Sequence, residues 1–262
     1  MWELKKISDA EYFKLGELDI NNPDKIVVNA SLLKDVFNRG LYDVIVEPLE
    51  HSEQTLKNFK TGSVLHKYIL ENSTFNEEYH FGDYNPAKTT TELNKKDEEF
   101  LKAIRKECEI KYPELLDEKG AEVAILGEIN GIKVKAKADK FIITGNRAYI
   151  YDLKSTSLSL QKIKKTADGR AWEVARQIRE YHYDLQMYFY SLLVEEWLKS
   201  QELYLEVIPV LVFASKVDYK VKQFMLSPET IADGEQKFNN TFNQIQDFVL
   251  NGVKNLTKFE II

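Results

Sequence analysis

Apolar and polar residues alternate strictly along I-K-V-K-A-K-A-D at 132–139, with even positions apolar and odd positions lysine or aspartate. That period of two predicts a strand. E-V-A-I-L at 122–126 predicts a strand before it, separated by the turn Glu128-Ile129-Asn130-Gly131. The following run, K-F-I-I-T-G-N-R-A-Y-I-Y-D-L-K, predicts a hairpin closed by Gly145-Asn146, a two-residue loop suited to a type II′ turn. In that register Phe141 faces Ile150, Asp139 faces Asp152, and Lys154 shares a face with Asp152 across from Lys137. Helical periodicity predicts S-L-L-K-D-V-F at 31–37, capped by Ser31, and a helix opened by Thr61-Gly62 that runs to about Glu71. It also predicts a helix from Lys95 to about Lys111, with Phe100, Leu101, Ile104 and Cys108 on one side. A long helix is expected from about Trp172 to Leu198, then strands over about Leu203–Ala214 and Val217–Met225. A final helix spans about Pro228 to Leu250, with Ser227 as N-cap. N-N-P-D at 21–24 reads as a turn and 76–86 as a loop. Helix, three strands, helix, two strands, helix is an α/β (α+β) order, a mixed central sheet flanked by helices. Residues 1–60 are expected to be a helical extension packed on a core of 61–262, within one structural domain.

With 262 residues, 44% of them apolar, the chain can bury a large core and disorder is not expected. The N-terminus lacks the apolar segment and cleavage site of a signal peptide, and the longest apolar run, I-P-V-L-V-F-A, is far too short to span a bilayer. The expected setting is the cytoplasm, with no membrane partner. A net charge of -6 argues against a uniformly basic surface, yet a local basic groove is enough for nucleic acid. The single cysteine, Cys108, excludes an internal disulfide and an iron–sulfur cluster ligated by one chain.

Two opposed carboxylates repel unless a cation lies between them, so Asp139 and Asp152 with Lys154 alongside describe a divalent-metal site. The plain alternative is a solvated hairpin face. Arg179, Tyr183, Gln186 and Tyr190 fall at spacings of three and four and share one helix face. Lys162, Lys164, Lys165 and Arg170 form a basic connector, which is either a solvated loop or a phosphate track.

These pieces resemble the PD-(D/E)XK nuclease superfamily, whose D…(D/E)-x-K pattern matches Asp139 and Asp152-Leu153-Lys154, with Ala138 standing where the superfamily name has proline. Gly62-Ser63-Val64-Leu65-His66 resembles the G-x-x-x-H motif of the λ-exonuclease, RecB and RecE-like branches. Tyr183-Asp184-Leu185-Gln186 with Tyr190 resembles their Y-x-x-Q-x-x-x-Y helix. The phage-type RecE (exonuclease VIII) domain is the nearest likeness, over roughly 30–190, and N-A-S-L-L-K before the motif helix belongs to it. The C-terminal third matches no motif.

The resemblance implies a restriction-endonuclease-like core acting on duplex DNA. It implies Mg²⁺, with Mn²⁺ as a substitute, held by Asp139, Asp152, the Leu153 carbonyl and His66. An extra acid would hold a second metal directly or through water; spacing leaves Glu122 and Glu128 open, and the family pattern favours Glu122. Lys154 would orient water and offset developing charge. Gln186 and Tyr190 would contact a phosphate or position the water, and Lys137, Lys162, Lys164, Lys165, Arg170 and Arg179 would line the DNA. A 5′→3′ exonuclease, a homo-oligomeric ring and a single-strand annealing protein as partner are implied in the same way, as are a phage or prophage origin and a role in recombination; a structure-specific endonuclease and a catalytically silent DNA-binding or scaffold protein on the same fold are the alternatives.

Overall fold

In the computed structural model, which describes residues 1–16, 25–47, 52–82, 91–162, 164 and 172–251, the alternating run becomes the long strand β6. Nine strands and nine α-helices are described in chain order: β1 (Glu3–Lys6), α1 (Asp9–Lys14), β2 (Val27–Val28), α2 (Ala30–Arg39), α3 (Leu41–Val46), α4 (Glu53–Leu70), α5 (Asn72–Glu78), β3 (Tyr79–Phe81), β4 (Thr91–Leu93), α6 (Lys95–Lys111), β5 (Ala121–Ile129), β6 (Ile132–Thr144), β7 (Arg147–Thr156), α7 (Trp172–Glu180), α8 (Tyr183–Ser200), β8 (Glu206–Ser215), β9 (Val221–Met225) and α9 (Pro228–Asn251). The main sheet runs β1-β5-β6-β7-β8-β9, with β2 added beside β6; β3 and β4 form a separate pair.

Asn130 and Gly131, both at positive φ, close the β5–β6 hairpin, and Gly145 at φ 61° opens the turn into β7. Phe141 pairs with Ile150 and Thr144 with Arg147, the register expected of that turn. β7 then pairs in parallel with β8, which requires the crossover made by α7 and α8. One core cluster, carrying residues of α2, α3, α8 and α9, packs on the sheet. A second cluster holds Val64, Leu65 and Ile69 of α4 with Phe100, Leu101, Ile104 and the buried Cys108 of α6. The sheet is therefore covered on both sides, a mixed α/β arrangement of the restriction-endonuclease type. None of the described helices is long and apolar enough to cross a membrane.

Several expectations are corrected. The described part of the first sixty residues is not purely helical: β1 pairs with β5 and β2 with β6, inside the main sheet. The division at residue 60 falls within α4, which starts two turns before Gly62 under the cap of Ser52. Asn29, not Ser31, caps α2 by accepting from Leu32 N–H. The expected long helix breaks at His182, whose φ is 50°. Part of the expected loop at 76–86 is α5 and β3, while 83–86 and the turn at 21–24 lie outside the described residues.

Candidate active site

The hairpin that carries the acids comes apart where they sit. Cross-strand pairs between β6 and β7 run from Thr144–Arg147 to Lys140–Tyr151 and stop one step before Asp139 and Asp152. The Leu153 N–H then donates to Asp139 Oδ2 at 2.5 Å, while β7 continues along β8. On the other edge of β6, Ala121 pairs with Lys140 and Val123 with Ala138, which leaves Glu122 opposite Asp139. Glu122 has φ 53°, a left-handed conformation that costs about 1–3 kcal/mol in a residue with a side chain and is concentrated at functional sites. Its effect is visible next door: Ala121 packs in one core cluster and Val123 in the other, although two-residue spacing should put both on one face. Asp139 thus has Glu122 across one strand and Asp152 across the other, at a fork in the sheet.

Helices on opposite sides reach into that fork. From α4, His66 Nε2 lies 2.6 Å from the Leu153 carbonyl oxygen. A carbonyl only accepts, so Nε2 carries the proton, and in the neutral ring Nδ1 presents a lone pair. Nδ1 stands 3.4 Å from Asp139 and 3.8 Å from Glu122, and one ligand atom from each of the three lies within 4.8 Å of the others. Ligands of an ion at about 2.1 Å stand at most about 4.2 Å apart, so the set closes around a cation by a small contraction. Burial, with Asp152 adding to it against the opposing pull of His66, pushes Asp139 up to about 7. Asp152 is buried too; its Oδ2 lies 2.8 Å from the Lys154 ammonium with no hydrogen-bond donor aligned on it. Three ligand atoms so placed, two of them from buried carboxylates, fit a divalent cation.

From the other side come α8 and α2. Gln186 Nε2 donates to Asp152 Oδ1 at 2.6 Å and contacts the Tyr190 hydroxyl at 3.2 Å. Lys154 also donates to Asp152 Oδ1, at 3.0 Å, and burial of its ammonium is outweighed by Asp152 and Asp139, which hold it above the usual lysine range. Lys34, on α2, donates to Gln186 Oε1 at 2.5 Å. Lys34 and Lys154 both lie against the Tyr183 ring, at 5.0 and 5.4 Å from its centroid. Burial and the neighbouring Lys154 push Lys34 down to about 7. Sequence reasoning missed Lys34 as a site residue, although it ends the N-A-S-L-L-K run already singled out; a surface-helix lysine carries no signal of what it faces.

The remaining expected residues divide. Glu128 is exposed at the far end of β5, opposite Lys133, so Glu122 is the acid beside Asp139. Lys137 does not line an open groove: it is ion-paired with Glu122 at 2.7 Å and with Asp9. Lys135, on the supposed lysine face, is buried and donates to the Tyr12 and Leu15 carbonyls. Tyr190 is buried in the core, supporting Gln186 rather than facing outward. Arg179 is exposed on α7, across the helix break from Gln186, so it does not share the face that Gln186 and Tyr190 keep on α8. Lys162 and Lys164 are exposed, and Lys165 and Arg170 lie outside the described residues.

A family model described as "PDDEXK-like domain of unknown function (DUF3799)" matches residues 45–255. No curated protein matches the chain. A crystal structure from Eubacterium rectale, described as a "putative exonuclease", is similar in fold, with a TM-score of 0.59, 16% identity, and coverage of 98% of this chain and 96% of that one.

Proposed function

We propose that this chain, which belongs to the family of PDDEXK-like domains, is a divalent-metal-dependent deoxyribonuclease that degrades duplex DNA from its ends. The observation that carries the reading is the meeting of Glu122, Asp139, Asp152, His66 and Lys154 at one fork in the sheet. His66 Nδ1, Glu122 and Asp139 would hold the cation, with Asp152 and the second lone pair of the Leu153 carbonyl beside them. A divalent ion there supplies Lewis acidity toward a phosphoryl oxygen and makes water more acidic. Mg²⁺ suits the oxygen-rich set, and Mn²⁺ tolerates the imidazole.

The chain's own groups do the rest. Lys154 stays charged through the physiological range and lies against Asp152, so it orients water and offsets the negative charge that grows on phosphorus substituents during hydrolysis. Lys34, which also lies against the Tyr183 ring, gains its charge where a phosphate oxygen relieves its repulsion from Lys154, and so adds a second cation to the bound complex. Gln186 holds Asp152 and Lys34 at once, which keeps acid and cation in register. The likeness to RecE-type domains extends the reading to 5′→3′ resection by a ring-shaped assembly that hands its single strand to an annealing protein.

The test is incubation with Mg²⁺, with Mn²⁺ and with chelator on linear duplex, circular duplex and single-stranded DNA. Loss of linear but not circular duplex supports end-dependent action; cleavage of circles makes the protein an endonuclease, and no cleavage of any substrate sinks the reading. Lys154→Ala should slow single-turnover cleavage by about 10²-fold or more while leaving the metal affinity near wild type, because its charge acts along the reaction path.

A further inference from the structure

The C-terminal helix matched no motif, yet it grips the start of the helix that carries Gln186. Asp184, fully buried in the first turn of α8, pairs with Lys237 of α9 at 2.6 Å. The two helices meet almost backbone to backbone: a Cβ on Gly234 would stand 2.3 Å from the Asp184 carbonyl oxygen. Lys237 also lies 3.3 Å from His182 Nδ1, and His182 Nε2 lies 2.7 Å from Asn38 Oδ1 on α2. The Phe37 ring closes the junction, edge-on to His182 at 4.8 Å and 5.5 Å from the Lys237 ammonium.

This knot joins the two helices that supply the Lys34–Gln186 contact. Lys34 and Asn38 are one turn apart on the same face of α2, and Asp184 and Gln186 share the first turn of α8. We propose that Lys237 is a positioning residue for the active site, fixing α2 against α8 so that Lys34, Gln186 and Asp152 stay linked. The inference rests on the nuclease reading above. It gives the otherwise silent C-terminal helix a task in catalysis, and it accounts for the left-handed His182 that interrupts the α7–α8 run.

A double-mutant cycle tests it. Lys237→Met should lower the single-turnover rate on linear duplex about 10- to 100-fold, the scale of a small misplacement of reacting groups. Mn²⁺ affinity, titrated calorimetrically, should stay near wild type, because His66, Glu122 and Asp139 are not part of the knot. In a Gln186→Ala background the same change should cost almost nothing further, since its effect travels through Gln186. Losses that simply multiply, or a rate unchanged in Lys237→Met, overturn the proposal. If Lys237→Met does not fold, the cycle is run with Asn38→Ala, an exposed position that cuts the α2 arm of the knot; a rate loss absent from the Gln186→Ala background supports the proposal, and an unchanged rate overturns it. A wild-type protein that cuts no DNA sinks the nuclease reading and this inference together, whereas an active wild type with an unaffected variant sinks the inference alone.

Discussion

Asp139 carries the electrostatic tension of the site, because a carboxylate stands opposite it on each neighbouring strand and water is excluded. Burial first, and Asp152 second, raise its pKa from 3.8 to about 7, so the fold favours the protonated form. Below about pH 4 the group is protonated in both the folded and unfolded chain, and its contribution to stability is fully present. As pH rises from about 4 to about 7 the unfolded chain ionises first, so the metal-free protein loses stability over that window. A cation needs the ionised carboxylate, so the rise in Tm caused by Mn²⁺ should be small at pH 5 and large at pH 8. Thermal melts with and without Mn²⁺ at four pH values between these limits check it. Asp139→Asn should flatten both trends, and a metal-induced shift that does not change with pH would remove Asp139 from the ligand set. The identities of these acids, of His66 and of Lys154 were readable in the sequence because each sits in a spaced motif. The left-handed Glu122 and the role of Lys34 were not, since both depend on what a neighbouring strand or helix brings close.

At the scale of elements, helix α4 makes its own prediction. Gly62 lies in mid-helix, one turn before His66, where glycine costs about 0.5–1 kcal/mol relative to alanine. Apart from its chain neighbours and the helix's own backbone, nothing in the described structure lies within 4 Å of where its Cβ would stand, so packing does not require the glycine. Gly62→Ala should therefore raise stability by about that amount, read as a higher Tm or a higher denaturant midpoint. A lower Tm would mean that the helix bends or packs at Gly62 in a way the contacts around it do not contain. If the stabilised variant also binds duplex DNA more weakly, the open space beside His66 belongs to the substrate. Helices α6 and α4 together illustrate what sequence periodicity delivers. α6 begins at Lys95 and ends at Lys111 as expected, because the Asn94 cap and a clean apolar stripe mark it. The start of α4 is hidden in the sequence because Gly62 resembles a helix beginning, while the working cap, Ser52, lies before a polar first half. The break at His182 has no glycine or proline to announce it; contacts with Asn38 and Lys237 hold it, and both are distant in sequence.

At the scale of the whole molecule, the first sixteen residues decide whether the sheet is complete. Sequence patterning set them apart from the core because β1 is four residues long and three of them are charged, too short and too polar to read as a strand. In the fold β1 lies along β5, with Lys6 paired to Val123, the residue after Glu122. The segment also satisfies two lysines of β6: buried Lys135 donates to the carbonyls of Tyr12 and Leu15, and Lys137 pairs with Asp9. Removing residues 1–16 would expose the edge of β5 and leave the Lys135 ammonium without those two acceptors. An unsatisfied polar group of this kind costs about 1–3 kcal/mol, more when charged. It would also free the backbone next to the strained Glu122, whose left-handed conformation persists only while its surroundings hold it. The expected outcome is a lowered Tm together with weaker Mn²⁺ binding, the second effect larger than that of a charge change at the exposed Glu3. Calorimetric titration of the shortened chain, at a temperature where circular dichroism reports it folded, separates the two. Unchanged metal affinity in a folded protein lacking these residues would mean that β5 holds Glu122 in place unaided, and that the segment is the peripheral extension its composition suggests.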